Sequence, residues 1–195
     1  MKFNFDLPYK VVLGSKSPRR KDLLTQMGLD FEIRIKEINE EIPEHINAYK
    51  ASEYLARLKG SAYKDSLKEN ELIITADTLV ILEEKILGKP ENKKEAMDML
   101  MSLSDNKHEV ITGVSLLCDT FQYSFSESTE VDFFNLSRNE IEHYIEAFTP
   151  FDKAGSYGIQ EWIGLIGTAG IKGCFYNVIG LPVPRLYQEL KKLSI

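Results

Sequence analysis

Cysteine is scarce in this chain, with two in 195 residues. Neither Cys118 nor Cys174 lies at CxxC spacing, which argues against a disulfide framework or a zinc site and leaves two thiols buried in strand-like segments as the expectation. Long apolar runs are missing too: "LIITA" and "TLVILEE" are far too short to cross a bilayer. The opening "MKFNFDLPYK" has no apolar h-region of signal-peptide type, so residence in the cytoplasm without a membrane partner is expected. Positive charge is not in excess. With 24 Lys and Arg against 30 Asp and Glu, the net charge of −6 argues against a general binder of nucleic-acid polymers, so any anion site must be local. GxxxxGK[ST] and GxGxxG are both absent, which removes the Walker A loop and the dinucleotide fingerprint. Internal repeats, low-complexity tracts and linkers are lacking as well, and 43% hydrophobic with 28% charged residues is ordinary globular composition. Residues 1–195 fit one domain, with room for a smaller lobe.

What is present begins with "LGSKSPRRKDLL" at residues 13–24. Ser17 is a natural N-cap and Pro18 loses no hydrogen bond at the first helical position. Arg19, Arg20 and Lys21 then stand where the helix dipole prefers acidic groups, with only Asp22 to offset them. A helix start carrying backbone N–H groups, the hydroxyls of Ser15 and Ser17, and two arginines is well equipped for phosphate. On that reading Arg19 and Arg20 clamp the ligand, and removing Arg20 leaves the fold unharmed.

Apolar periodicity supplies the rest of the architecture. Strands are expected at "YKVVLGS", "FEIRIKEI", "ELIITADTLVIL", "HEVITGVSLLCD", "FQYSFSESTEVDFF" and "CFYNVIG". Helices are expected at "PRRKDLLTQM", closed by Gly28, at "NAYKASEYLARLKGSAYKD", at "NKKEAMDMLMSLS", at "SRNEIEHYI" with a capping box from Ser137 to Glu140, and at "PRLYQELKKL". Mixed βα units and hairpins point to an α/β or α+β fold whose strands are not all parallel.

Asp77 interrupts the apolar strand in "ITADTLV". An ionised carboxylate there is costly unless it meets a cation, a metal or several donors, although a turn or capping aspartate would also explain it. Glu37 ends a strand in the same half of the chain, and with Asp77 it would supply carboxylates to hold Mg²⁺ beside substrate phosphates. Glu40, Glu41 and Glu44 read as a solvated acidic run. Lys59, Lys89 and Lys153 join Arg19 and Arg20 near strand ends. The residues alone point to a metal-assisted enzyme acting on a phosphorylated small molecule.

"SKSPRR", "ADTLV", "GKP", "HEVITG", "DKAGSYGIQ" and "NVIGLP" occur in this order from about residue 11 to the C-terminal helix. In this the chain resembles the Maf family of nucleotide pyrophosphatases. The resemblance implies hydrolysis of a nucleoside triphosphate to monophosphate and pyrophosphate, with Mg²⁺ or Mn²⁺, in a cleft between two lobes of a mixed sheet related to that of the inosine triphosphate pyrophosphatases. It matches Ser15, Arg19 and Arg20 to a phosphate-binding loop, Asp77 to a general base, and Glu37, Lys59, Lys89, Asp152 and Lys153 to polar cleft residues. Whether Asp77 is base, metal ligand or both stays open. Arg20, Thr78 and Gln160 match the branch acting on dTTP and UTP, whereas the branch preferring 7-methyl-GTP differs at these places. Cys174 departs from the family's more usual serine. A homodimer is a further implication, and a non-catalytic nucleotide-binding regulator of septum formation is the alternative from another class. A third reading, an interaction protein whose basic loop meets an acidic partner, leaves Asp77, Glu37 and Gln160 unexplained.

Overall fold

The computed structural model describes residues 7–193. In chain order the main elements are β1 (Lys10–Leu13), α1 (Pro18–Met27), β2 (Phe31–Ile33), α2 (Ala48–Ser61), β3 (Glu71–Leu82), β4 (Lys85–Leu87), α3 (Lys93–Leu103), β5 (Lys107–Leu117), β6 (Gln122–Phe133), α4 (Arg138–Phe148), α5 (Trp162–Gly167), β7 (Thr168–Lys172), α6 (Phe175–Ile179) and α7 (Val183–Lys191). Their strands form one mixed sheet in the order β2-β1-β3-β5-β6-β7, with β4 pairing β3. β1 runs parallel to β2 and β3, and every other pairing is antiparallel. The expected mixed α/β architecture is what the chain adopts. Among the described residues no helix is long and apolar enough to cross a membrane.

The alternation of side chains along β3 divides the molecule. Leu72, Ile74 and Ala76 enter one apolar core with Leu24 of α1 and Leu186 and Leu190 of α7, whereas Val80 enters a second with Leu100 of α3 and Ile141 and Tyr144 of α4. These cores make two lobes on one strand. On the opposite face Leu79 packs with Ala51 and Leu55 of α2. That helix lies very close to the sheet because β5 carries Gly113, where an added Cβ would stand 2.2 Å from the Ser52 carbonyl oxygen. Gly113 is also the direct cross-strand partner of Asp77.

Helix ends follow the local chemistry read from the sequence. Ser17 accepts from the Arg20 N–H, Gly28 closes α1 at φ 84°, and Ser137 with Glu140 forms the capping box of α4. Two segments differ from expectation. "CFYNVIG" is helix α6 rather than a strand, and the last strand is β7, in a stretch to which the sequence assigns no strand. The cause is Asn177, whose amide donates to the Val110 carbonyl and Thr129 Oγ1 and accepts from the Thr112 N–H, docking the segment by its side chain instead of by a ladder. Consequently Cys174 precedes a helix and is half-buried, while Cys118, just past β5, is buried as expected; both are free. The second difference is the strand at "FEIRIKEI", which pairs only over Phe31–Ile33. Beyond it Arg34 turns its guanidinium onto Glu71 at 2.6 and 2.9 Å, and the chain leaves the sheet.

Candidate active site

Along one edge of β3, β1 covers Glu71–Ile74 and β4 covers Val80–Leu82. Residues 75–79 are left without a strand on that side, and a cleft of about 550 Å³ opens there between the lobes. A pleated strand exposes alternate side chains to opposite faces, so an edge gap lets the cleft reach both Asp77 and Thr78.

Asp77 is buried on the α2 face, and its Oδ1 accepts from Lys59 Nζ at 2.5 Å. The same ammonium meets Glu40 Oε2 at 2.8 Å. Lys59 lies two turns beyond Ser52 on α2, so the close approach permitted by Gly113 brings the ammonium within reach of the carboxylate. Glu37 is placed otherwise. It lines the cleft, but its carboxylate is exposed and bonded to Lys16 at 2.8 Å, an interaction that holds it below the usual carboxylate range. Of the acidic segment read as solvated, Glu40 is therefore the member that reaches the Asp77 pair.

The loop of residues 14–17 is ordered from within, since Ser15 Oγ accepts from the Ser17 N–H. Arg19 faces the cleft and reaches the other lobe, donating to Asp152 Oδ2 at 2.7 Å. Asp152 also accepts from Lys153 at 2.9 Å. Burial opposes ionisation of Asp152, yet the bonds from Lys153 and Arg19 hold its carboxyl below the ordinary value. Lys89 and Gln160 line the same cleft.

Arg20 does not match the expectation of a free phosphate clamp. Its Nε donates to the Gly180 carbonyl at 2.9 Å, Nη1 to the Ala76 carbonyl at 2.8 Å and to Ser15 Oγ at 3.4 Å, and Nη2 to Thr78 Oγ1 at 3.0 Å. Four of the guanidinium's five N–H groups are thus engaged by the protein. Thr78 continues the chain through Thr112 Oγ1 at 2.9 Å to the Asn177 carbonyl. Together these bonds fasten the α1 start, the unpaired stretch of β3 and the 177–180 segment to one another. The sequence does not mark Thr112 or Asn177, although the lone amide in the apolar run "FYNVIG" is a signal.

Tyr157, also at the cleft, is hydrogen-bonded to His108 Nε2 at 2.7 Å. Burial lowers the His108 pKa from 6.5 to about 4. The unfolded chain therefore binds a proton that the folded chain refuses between these values, and stability present above pH 6.5 is lost as the pH falls toward 4. The melting temperature is expected to decline over this window and to decline less in His108→Gln; parallel melting curves for the two proteins would refute the assignment.

The family model described as "Maf-like protein" matches residues 10–193. The chain is 51% identical over 186 residues to the dTTP/UTP pyrophosphatase of Phocaeicola vulgatus, covering 95% of this chain and 96% of that protein. It is 50% identical over 184 residues to the dTTP/UTP pyrophosphatase of Parabacteroides distasonis, covering 94% and 95%. A solved structure of a nucleoside-triphosphatase / dITP/XTP pyrophosphatase from Mycobacterium abscessus is similar with a TM-score of 0.46 at 12% identity, over 95% of this chain and 96% of that one.

Proposed function

The chain belongs to the Maf family, and from that premise we propose that it hydrolyses dTTP and UTP to the monophosphate and pyrophosphate. The observation that carries the reading is a buried carboxylate, Asp77, at the strand gap, with Lys59 against it and Arg19 and Lys153 across the same cleft. Relatives of about half identity named dTTP/UTP pyrophosphatase supply the substrate.

In the proposed reaction a water attacks the α-phosphorus in line, and Asp77 takes its proton as general base. Lys59 orients that carboxylate through its hydrogen bond to Oδ1. The bond to the bridging oxygen breaks, and pyrophosphate leaves with its charge opposed by Arg19, Lys89 and Lys153; catalysis of this kind is largely positioning and charge stabilisation. No covalent intermediate is required. Arg20 and Thr78 act by holding the loop and the strand in register.

The donor set fits a hard divalent cation. Asp77 and Glu40 already share one positive group, and such carboxylates with substrate phosphate and water suit Mg²⁺ or Mn²⁺. Among the described residues no cluster of three acidic, His or Cys side chains is formed, and an ion held by Asp77 and Glu40 would draw on substrate phosphate and water for further oxygens. When bound, the ion supplies neutralisation of phosphate charge. Glu37 would have to release Lys16 to join it.

Gln160 is the proposed reader of the pyrimidine edge, since its amide both donates and accepts. Pyrophosphate release from the common triphosphates and 7-methyl-GTP, with and without Mg²⁺, tests the function, with dTTP and UTP expected well ahead of ATP and GTP. Gln160→Ala is expected to narrow the lead by ~10-fold by lowering the good substrates more than the poor ones, because a site built for one base leaves polar groups unpaired with another. An unchanged ratio of kcat/KM would move base recognition elsewhere.

The proposal extends to residence in the cytoplasm, where these nucleotides are, and to a homodimer. Exposed Phe134, Leu165 and Ile166 around the β6–β7 edge are an apolar surface suited to a second copy.

A further inference from the structure

We propose that Tyr144 and Glu161 are positioning residues that set nucleotide selectivity by holding the 158–161 turn and Lys153 against the cleft. The inference rests on the pyrimidine nucleotide reading given above.

Tyr144 is fully buried on α4, remote in sequence from every phosphate-loop residue. Its hydroxyl makes two bonds that oppose each other in direction: it donates to Glu161 Oε2 and accepts from the Gly158 N–H at 3.0 Å. Burial and the Glu161 carboxylate push the phenol far above its ordinary pKa, so the proton stays on Tyr144 and the donor role is fixed. Glu161 Oε1 then meets Lys153 Nζ at 3.2 Å. Gly158 and Glu161 bracket Gln160, which lines the cleft, and the turn is closed by a bond from the Glu161 N–H to the Gly158 carbonyl at 2.9 Å. One buried oxygen thus fixes both ends of the turn that carries Gln160.

The connection continues across the cleft. Lys153 holds Asp152, and Asp152 holds Arg19 of the phosphate loop. Tyr144 does not itself line the cleft and reaches it only through the Gly158 N–H and Glu161, so its influence passes through the turn. A phenol used only for packing would need no partner for its oxygen beyond one acceptor; this one also satisfies a backbone N–H in the turn it supports.

Tyr144→Phe keeps the ring and removes both bonds. The kcat/KM ratio of UTP over ATP is expected to fall by ~10-fold, through a raised KM for UTP with little change for ATP, because misplaced recognition groups cost only the substrate that uses them. Glu161→Gln, which keeps an oxygen for the tyrosine, is expected to retain more of the ratio than Glu161→Ala. A merely structural loss lowers both substrates together, and that result overturns the proposal. Hydrogen exchange at the Gly158 amide supplies a readout independent of activity: it should accelerate in Tyr144→Phe while the buried amides of β5 keep their rates. An unchanged Gly158 rate sinks the inference whatever the enzyme hydrolyses. A wild type inactive on UTP and dTTP refutes the nucleotide reading and, with it, the proposed role in selectivity.

Discussion

Replacing Asp77 with asparagine lowers kcat for UTP by at least ~10²–10⁴, the usual worth of a general base, while the protein stays folded. The amide is nearly isosteric and its oxygen still accepts from Lys59, so the 2.5 Å contact has a neutral substitute. What disappears is the charge that, on the proposed reading, takes the proton and with Glu40 would help hold a divalent cation. Pyrophosphate release by the variant, measured beside its melting curve, checks both halves of the statement. Near-normal kcat would remove Asp77 from the reaction, and a collapsed melting temperature would make it a structural ion-pair partner.

Removing the Arg20 side chain has its largest effect on stability, the reverse of what the charge pattern of α1 alone implies. A cation in the first turn of a helix costs ~0.3–1 kcal/mol, and Arg20→Ala relieves that. Against this stand the carbonyls of Ala76 and Gly180, which lose their charged donors in the interior. An orphaned buried group costs ~1–3 kcal/mol; the Ala76 carbonyl becomes one, whereas the Gly180 carbonyl keeps Thr78 Oγ1 at 3.4 Å, so the loss outweighs the relief by roughly 1–2 kcal/mol. For a chain of this size that corresponds to a melting temperature lower by roughly 2–8 °C, with turnover expected to fall as the strand gap loosens. A ligand-free melt unchanged from wild type would restore Arg20 to the role of simple phosphate clamp.

The contrast between Arg19 and Arg20 marks how far the sequence could be read. Ser17, Pro18 and Gly28 announce α1 because capping chemistry is local, and β3 with its hairpin is plain from apolar periodicity. Asp77 stands out because a charge in such a run demands a partner. Which of two adjacent arginines faces solvent depends on carbonyls at 76 and 180, far away in sequence, and no local pattern carries that. The acidic segment fails for the same reason: Glu37 and Glu40 are chemically equal, and only the path of the chain after Ile33 gives Lys59 to the second. "CFYNVIG" reads as a strand because a short apolar run fits strand and helix equally, and the docking of Asn177 decides for the helix.

The gap in β3 has a temporal consequence. The gap is bounded by β1 and β4, and the cleft over it is lined from α2, the segment around Asp152 and finally Gly180, whose carbonyl completes the hold on Arg20. Synthesis proceeds from the N-terminus, and early segments emerge long before late ones. A nascent chain therefore carries Asp77 and both arginines well before it owns a closed site. The arrangement is complete only once the 177–180 segment has emerged, so a chain stalled before it lacks the carbonyl that fastens Arg20 to the rest of the site.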